Sequence, residues 1–194
     1  ANKPGGTSFN PLLIFGGVSL GKTHLAHAIG VEIKEKKKKK TVLYISAEIF
    51  TQQYIDSVKK NNRNDFIHFY QLIDVLIIDD VQFLSGKSGT QDVFFHIFNY
   101  LHQNGKQVIL TSDKAPVDMQ DIEQRLLSRF KWGLSAEIHQ PDYETRISIL
   151  KNILYRDGVD IPEEIIEYVA RNIKSNVREL EGAIISLIAQ SSFN

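Results

Sequence analysis

The chain has 194 residues, of which 42% are hydrophobic, so it can bury the core of one large domain or of two small ones. Its 23 basic and 23 acidic side chains cancel, which excludes a strong overall field toward nucleic acid or membranes and leaves DNA contacts to local patches. The absence of cysteine excludes disulfide frameworks and thiolate metal sites. Residues 1–10 are polar and glycine-rich, and no apolar run approaches the roughly 18 residues of a membrane span, so we expect no signal peptide, no span and a cytoplasmic location.

Apolar, strand-like runs alternate with helical patterns through most of the chain. Five runs are predicted to be strands: 12–15, 42–46, 75–78, 107–111 and, more weakly, 134–138. This alternation predicts a parallel sheet of about five strands with helices on both faces. After Pro141 the sequence shows only helical stretches, at about 143–155, 162–172 and 177–189. We therefore predict two domains, an α/β core over residues 1–140 and a small helical domain over residues 141–194.

A glycine-rich segment follows the first predicted strand and opens a helical pattern. It reads Gly16-Gly17-Val18-Ser19-Leu20-Gly21-Lys22-Thr23 and fits G-x-x-x-x-G-K-[ST], the phosphate-binding loop. Glycines allow successive backbone N–H groups to face a polyphosphate, and the helix N-terminus adds partial positive charge. Lys22 is then expected to reach the β- and γ-phosphates, and the Thr23 hydroxyl to bind Mg²⁺. The alternative, a glycine turn that caps an ordinary helix, does not explain the strand-loop-helix order.

The third predicted strand ends in two acids. The run Asp74-Val75-Leu76-Ile77-Ile78-Asp79-Asp80 is typical of a strand buried on both faces that carries carboxylates at its C-terminal tip. Ligands of open α/β sheets bind at this edge. We predict that Asp79 holds the water shell of Mg²⁺ and that Asp80 orients an attacking water. The alternative is that both acids cap the following turn.

A polar tripeptide, Thr111-Ser112-Asp113, ends the fourth predicted strand. It should lie beside the acids of a neighbouring strand tip, where a polar group can sense the γ-phosphate of a nucleotide. We assign this role to Ser112 and Asp113. A turn or a helix cap is the alternative.

Three arginines occupy unfavourable places. Arg125 and Arg129 are four residues apart on one predicted helix, where like charges repel unless an anion faces them. A phosphate bound by a neighbouring subunit could be this anion, as it is for an arginine finger. The alternative is a helix face on which the arginines form salt bridges. Arg178 falls in the first turn of the last helix, behind the capping pair Asn176 and Glu179, and there it opposes the helix dipole. A nucleotide phosphate would justify Arg178, and pairing with Glu181 is the alternative.

Three further features are better explained by folding than by binding. The lysine-rich run Lys34 to Lys40 lies where a solvated connection is expected, although a nucleic-acid patch is the alternative. His24 and His27 could share a helix face, but no third ligand accompanies them. The remaining feature is a set of aromatic side chains spaced for helix cores rather than for base stacking: Phe66, Phe69, Tyr70, Phe94, Phe95 and Phe98.

Taken together, these segments resemble the AAA+ ATPases and, within them, the central ATPase domain of the DnaA family of bacterial replication initiators. The resemblance covers nearly the whole chain. It rests on five ordered motifs, which are residues 16–25, 76–83, 109–113, 125–130 and 175–182. It implies an α/β AAA+ P-loop NTPase with a five-stranded parallel sheet, helices on both faces and a small helical lid domain.

The resemblance also implies roles for individual residues. Lys22 and Thr23 correspond to Walker A, Asp79 and Asp80 to Walker B, and Ser112 with Asp113 to sensor 1. The implied nucleotide-binding set is Gly16, Gly17, Val18, Ser19, Leu20, Gly21, Lys22, Thr23 and His24, with Thr23 and Asp79 on Mg²⁺. Arg129 is similar to the arginine finger, Arg125 to a second subunit-interface arginine, and Arg178 to sensor 2. Candidates for single-stranded DNA contacts are Ile55, Lys87 and Thr90.

Such a family member binds ATP or ADP with Mg²⁺, assembles with other copies on origin DNA when ATP is bound, engages single-stranded DNA and resets by weak, slow hydrolysis. A replicative helicase or regulators are further expected partners. Two features depart from the family pattern. Ser19 stands where glycine is usual and would be strained if φ is positive there, and Gly89 stands where many initiators carry an arginine for single-stranded DNA.

The chain starts just before the first strand, without the family segment that helps to hold adenine, and ends without a helix-turn-helix domain. We therefore expect a fragment that reaches duplex origin boxes only through another domain. Two alternatives stay open. One is a helicase loader or a DnaA-like AAA+ regulator, and the other is a nucleotide-dead assembly module.

Overall fold

The computed structural model describes residues 3–6 and 9–191. The chain divides into two compact units, Ala1–Gly16 with Lys22–Glu137 and Gly17–Gly21 with Ile138–Asn194. The predicted boundary between residues 140 and 141 lies close to this division, whereas the grouping of the short glycine loop with the second unit was not expected. The outer limits of the two predicted domains, Ala1 and Asn194, lie outside the described residues.

Five parallel strands form the sheet of the first unit. They are β1, Leu12–Phe15; β2, Val42–Ser46; β3, Val75–Asp79; β4, Gln107–Ser112; and β5, Leu134–Glu137. Their spatial order is β2-β3-β4-β1-β5, and every pairing is parallel. The predicted five-stranded parallel sheet is confirmed; β3 and β4 each run one residue further than predicted, and β5 ends one residue earlier.

Helices cover both faces of this sheet, as predicted. They are α1, Lys22–Lys36; α2, Ala47–Lys59; α3, Arg63–Leu72; α4, Ser88–Gln103; and α5, Gln124–Phe130. Short 3-10 turns follow β3 at Val81–Leu84 and β4 at Pro116–Asp118. Parallel strands need a crossover connection, so the helical segment between two successive strands returns the chain to the N-terminal edge of the sheet.

The two faces of β3 have different partners because successive side chains of a strand point in opposite directions. Leu76 and Ile78 lie in the main hydrophobic core, which also contains Phe50 of α2 and Phe94 of α4. Ile77 faces α1 instead: a Cβ atom added to Gly30 would come within 2.8 Å of the Ile77 Cδ1 atom. Glycine therefore allows α1 to approach the sheet closely, and this packing fixes the start of α1 at the C-terminal edge of the strands.

The prediction of core packing holds for five of the six aromatic side chains. Phe66, Tyr70, Phe94 and Phe98 are buried, and Phe95 is half-buried and packs against the main core, with two arginines over its ring. The prediction is wrong for Phe69, which is 50% exposed.

The second unit is helical beyond residue 138, as predicted. Its helices are α6, Tyr143–Asp157; α7, Glu163–Asn172; and α8, Val177–Ser191. The Asp142 side chain caps α6 by accepting a hydrogen bond from Thr145 N at 2.8 Å, and Gly158 ends it with a φ of +67°. These helices share their own core around Leu150, Val169 and Leu180. In the described part of the chain, every helix is too short or too polar to cross a lipid bilayer.

Candidate nucleotide-binding and hydrolysis site

Asp79, the last residue of β3, is the centre of the candidate site. It is 4% exposed. Its carboxylate accepts hydrogen bonds from the hydroxyls of Thr23 at 2.9 Å and Tyr44 at 2.5 Å, and from that of Thr111. A buried carboxylate needs such donors because it has lost its hydration. Three hydroxyl groups from α1, β2 and β4 thus hold one carboxylate at the C-terminal edge of the sheet.

The pairing of β2 with β3 explains how Tyr44 reaches this carboxylate. Ser46 lies beside Asp79 and Tyr44 beside Ile77, so Tyr44 and Asp79 point to the same face of the sheet. The His27 ring of α1 packs on the Tyr44 ring, with the two centroids 3.8 Å apart. Burial, and then the hydrogen bond to Asp79, raise the pKa of the Tyr44 hydroxyl, which keeps its proton and donates it to the bond. Tyr44 was not among the site residues predicted from the sequence.

Asp80 has the left-handed backbone conformation, with a φ of +57°, directly after β3. Its N–H donates to the Thr111 hydroxyl at 2.8 Å, and its carboxylate accepts a hydrogen bond from the Gln82 amide at 3.1 Å. It makes no side-chain capping bond to the following 3-10 turn, so the turn-cap alternative does not describe it. Burial, and then repulsion from Asp79 and Asp113, raise the pKa of the Asp80 carboxyl despite the Gln82 hydrogen bond. A raised pKa at a strained position is typical of a functional carboxylate.

Lys22 and Asp113 form an ion pair across this edge, with 2.6 Å between Nζ and Oδ1. Lys22 is 5% exposed. Gln82 connects Asp113 to the Walker B acids, because its amide nitrogen lies 3.3 Å from the second Asp113 oxygen and 3.1 Å from Asp80. The structure therefore brings together five of the residues selected from the sequence: Lys22, Thr23, Asp79, Asp80 and Asp113.

Ser112 does not contribute its side chain to this group. It is fully buried, and its hydroxyl accepts a hydrogen bond from Lys114 N at 3.0 Å, as in the turn alternative. Its neighbour Thr111 contacts both Asp79 and Asp80 instead. Side chains alternate along β4, and the one that meets the β3 acids precedes Ser112 by one position.

The loop between β1 and α1 has positive φ angles at two of its three glycines and at one serine. The φ angles are +150° at Gly16, +61° at Ser19 and +95° at Gly21. The Gly16 N–H donates to the Ser112 carbonyl at 3.2 Å. Within the second unit, Val177 N donates to the Ser19 carbonyl at 3.2 Å. Ser19 thus adopts the conformation in which a side chain is strained, by roughly 1 to 2 kcal/mol.

We expect Ser19→Gly to raise the stability of the protein and to leave its nucleotide affinity almost unchanged. The φ of Ser19 is +61°, so we expect the strain to belong to the folded protein itself. Glycine relieves the strain but makes the unfolded chain more flexible, which leaves a net gain of about 0.5 to 1 kcal/mol, or roughly 1 to 4 °C in Tm. Thermal unfolding with and without ATP measures both quantities.

Ser19→Ala is the matched control, because it removes the hydroxyl and keeps the strain. It should leave Tm near that of the wild type. A Ser19→Gly protein with unchanged Tm and tighter ATP binding would instead show that the loop changes conformation when nucleotide binds.

The donors around Asp79 fit a magnesium ion that also binds phosphate. Mg²⁺ prefers oxygen ligands and usually takes one or two protein oxygens together with phosphate and water. Thr23 and Asp79 supply a hydroxyl and a carboxylate 2.9 Å apart. Among the described residues no group of three or more His, Cys, Asp or Glu side chains could hold a metal alone. The chemistry of this donor set thus suits an ion that arrives with a polyphosphate.

Arg125 and Arg129 lie on α5, as predicted, and rest on aromatic rings. Their guanidinium carbons lie 4.7 Å and 5.6 Å from the centre of the Phe95 ring, and that of Arg129 lies 4.6 Å from the Trp132 ring. Arg129 also donates to the Asn99 amide oxygen at 2.9 Å. The groups that orient the Arg129 guanidinium in these contacts are thus an amide and two aromatic rings, and none of them is an acid.

The salt-bridged alternative does describe Arg125 in this subunit. Its guanidinium pairs with Glu123 at 2.6 Å and with Asp92 at 2.9 Å, the latter on α4. The hydrogen bond to Glu123, followed by the weaker effect of the one to Asp92, raises the pKa of the Arg125 guanidinium. A phosphate from a second subunit would have to compete with both carboxylates.

Arg178 is exposed in the first turn of α8, as predicted. The capping pair is present, because Glu179 N donates to the Asn176 side chain at 2.9 Å. Glu181 lies 3.6 Å from Arg156 and forms no ion pair with Arg178 among the described residues. The alternative partner suggested by the sequence is therefore not used, and Arg178 remains a predicted sensor.

The candidates for single-stranded DNA contacts differ in exposure. Ile55 of α2 is 40% exposed, and Lys87 is half-buried directly before α4. Thr90 is 4% exposed, and a buried hydroxyl cannot bind a strand outside the protein, so the structure argues against a side-chain contact there. Gly89 adjoins α2, because an added Cβ atom would lie 3.8 Å from the Tyr54 ring.

Comparison with known proteins identifies the chain's relatives. The family model of the bacterial DnaA ATPase domain matches residues 1–137. The chromosomal replication initiator protein DnaA of Flavobacterium psychrophilum is 95% identical over all 194 residues, which span 41% of that protein. The chain thus covers about two-fifths of the length of such relatives.

Two solved structures are also similar. Domain III of the Thermotoga maritima replication initiation protein DnaA is 43% identical, with a TM-score of 0.93 over 98% of this chain and 79% of that one. A replication initiator DnaA bound to AMPPCP and single-stranded DNA is 43% identical, with a TM-score of 0.86 over 95% of this chain and 56% of that one. The Walker geometry, the sheet order and these matches agree: the chain belongs to the bacterial DnaA ATPase domain family.

Proposed function

We propose that the chain is the ATP-binding switch domain of a replication initiator, which assembles with further copies on origin DNA when ATP is bound. The observation that carries this proposal is the grouping of Lys22, Thr23, Asp79, Asp80 and Asp113 at the C-terminal edge of the sheet. A DnaA solved with AMPPCP and single-stranded DNA supports it by similarity.

Nucleotide binding would use the loop from Gly16 to His24. Backbone N–H groups of this loop face the phosphates, and the Lys22 ammonium binds the β- and γ-phosphates. The ammonium lies 2.6 Å from an Asp113 oxygen, and a polyphosphate would offer it a more highly charged anion than this carboxylate. Mg²⁺, held by Thr23 and Asp79, would neutralise charge on the phosphates.

Hydrolysis would depend on the Asp80 carboxylate directly after β3. This carboxylate orients a water for attack on the γ-phosphate and is held by Gln82, while Thr111 and Tyr44 fix the position of Asp79. Asp113, which is paired with Lys22, would sense the γ-phosphate. We expect a weak ATPase whose hydrolysis resets the switch.

Assembly would depend on the γ-phosphate through arginines supplied by a second copy. Arg129, with Arg125 beside it, contacts the phosphate in trans, and Arg178 senses the bound nucleotide. ATP favours assembly over ADP only by the free energy of such differential contacts. Further partners of this assembly are proposed to be single-stranded origin DNA and a replicative helicase or regulators.

A titration of fluorescent single-stranded DNA tests this function. We expect the protein to bind the strand at least tenfold more tightly with a non-hydrolysable ATP analogue than with ADP, at full nucleotide occupancy in both cases. Anisotropy measures the affinity, and a fluorescent nucleotide measures the occupancy.

Lys22→Ala should abolish nucleotide binding and the preference for the ATP state. Lys36→Ala is its matched control, because Lys36 lies on the same helix, is 52% exposed and pairs with Glu32. Nucleotide binding with equal DNA affinity in both states would favour a loader or regulator, and failure to bind nucleotide would favour a nucleotide-dead assembly module.

A further inference from the structure

An open pocket lies at the turn between α2 and α3, and no Walker residue lines it. It is lined by Val58, Asn61, Arg63 and Asn64. A guanidinium group matches the geometry of a phosphate. Carboxamides can donate hydrogen bonds to the edges of bases and accept hydrogen bonds from them. The exposed methyl groups of Val58 offer apolar contact beside them. The lining thus has the chemistry that recognises one nucleotide.

The pocket continues a surface that already contains a DNA candidate. Ile55 and Val58 are three residues apart on α2 and therefore share one helix face. They are 40% and 48% exposed, respectively. A strand that contacts Ile55 could follow this face for one turn and arrive at Arg63.

The ring of Tyr54 connects this pocket to Gly89. The Arg63 guanidinium carbon lies 5.8 Å from the ring centre. A Cβ atom at Gly89 would lie 3.8 Å from the edge of the same ring. Arg63 therefore brings a positive charge to the neighbourhood in which position 89 has no side chain.

Arg63 is available for a phosphate. It is 47% exposed, and its ion pair with Asp92 spans 3.8 Å, whereas Asp92 holds Arg125 at 2.9 Å. It also stands first in α3, where a cation opposes the helix dipole and gains nothing for the helix itself.

We propose that Arg63, with the carboxamides of Asn61 and Asn64, binds one nucleotide of single-stranded DNA and supplies the phosphate contact that Gly89 cannot make. This inference rests on the proposed function and extends its DNA surface from Ile55 and Lys87 around the end of α2.

The salt dependence of single-stranded DNA affinity tests this site. With the ATP-analogue-bound protein, Arg63→Gln should reduce the slope of log K against log salt by about 0.7, the value for one phosphate contact on a single strand. Arg63→Lys keeps the charge and should keep the slope. Lys151→Gln, an exposed lysine on α6 paired with Glu163, is the matched control and should leave the slope unchanged.

A second variant tests whether positions 63 and 89 serve one role. Gly89→Arg should restore the lost slope in the Arg63→Gln protein, because the added side chain starts at ordinary contact distance from Tyr54. Thermal unfolding checks that each variant is folded.

An Arg63→Gln protein that is folded and keeps the full slope would overturn this site and leave the proposed function intact. Absence of single-stranded DNA binding by the wild type at full nucleotide occupancy would overturn both. A reduced slope that Gly89→Arg restores would support the inference.

Discussion

Arg129→Ala should remove ATP-dependent assembly while ATP binding is retained. The Arg129 guanidinium is held by Asn99 at 2.9 Å and by the Trp132 ring at 4.6 Å, so contacts within its own subunit orient it. An arginine supplied in trans contributes roughly 10³- to 10⁵-fold to phosphoryl transfer, and we expect assembly-dependent hydrolysis to fall by at least the lower figure. Nucleotide binding, which would use residues of the same subunit, should change little.

Trp132 provides a direct measurement of this step. It is the single tryptophan of the chain, and the guanidinium that lies over its ring would leave for a phosphate during assembly. Tryptophan emission should therefore change when the wild type assembles with ATP and stay constant in Arg129→Ala. Sedimentation measures assembly in parallel. Arg171→Ala is the matched control, since Arg171 is an exposed arginine that pairs with Glu167 on α7.

Mixing two inactive variants separates a contact in trans from one in cis. Lys22→Ala would keep the arginine and lose the nucleotide, whereas Arg129→Ala would keep the nucleotide and lose the arginine. Together they should regain part of the hydrolysis that neither has alone. Loss of ATP binding by Arg129→Ala, or no recovery in the mixture, would contradict a trans-acting role.

The sequence predicted the sheet and most of the hydrolysis site because both depend on short patterns. Apolar runs bounded by polar residues placed each strand within one residue of its ends. The spacing of glycine, lysine and threonine identified Lys22 and Thr23, and an apolar run with a terminal acid pair identified Asp79. The order β2-β3-β4-β1-β5 could not be predicted from composition or periodicity, since it depends on pairings between distant segments.

The residues that were missed or wrongly assigned from the sequence depend on strand register or helix phase. Tyr44 reaches Asp79 only because β2 pairs with β3 so that Ser46 lies beside Asp79. Thr111 contacts the acids in place of Ser112 because a one-residue shift moves a side chain to the other face of a strand. Thr90 was assigned to a DNA contact but faces inward on α4, as does Gln91, and this helix phase was not evident from the sequence.

Asp80→Asn should reduce ATP hydrolysis by roughly 10²- to 10⁴-fold, the usual contribution of a positioned acid or base, and should retain ATP binding. An amide keeps the shape of the side chain and a hydrogen bond to Gln82 but cannot accept a proton from water. Because burial and the nearby acids raise the pKa of Asp80, wild-type hydrolysis should fall as the pH drops through this raised value, at a higher pH than for an ordinary aspartate. Steady-state phosphate release across a pH series, at saturating ATP, measures both effects.

The same substitution should stabilise the free protein at neutral pH. A carboxyl whose pKa is raised by folding binds its proton more tightly in the folded state, so its contribution to stability is present at low pH and is lost as the pH rises through the folded pKa. Asparagine carries no charge and avoids this loss, so Tm of Asp80→Asn should exceed that of the wild type at pH 7 and approach it at low pH. Asp160→Asn, at an exposed aspartate of the second unit, is the control and should change neither Tm nor hydrolysis. Lower hydrolysis without a gain in Tm would mean that folding does not disfavour the ionised Asp80 carboxylate. Unchanged hydrolysis would mean that another residue orients the attacking water.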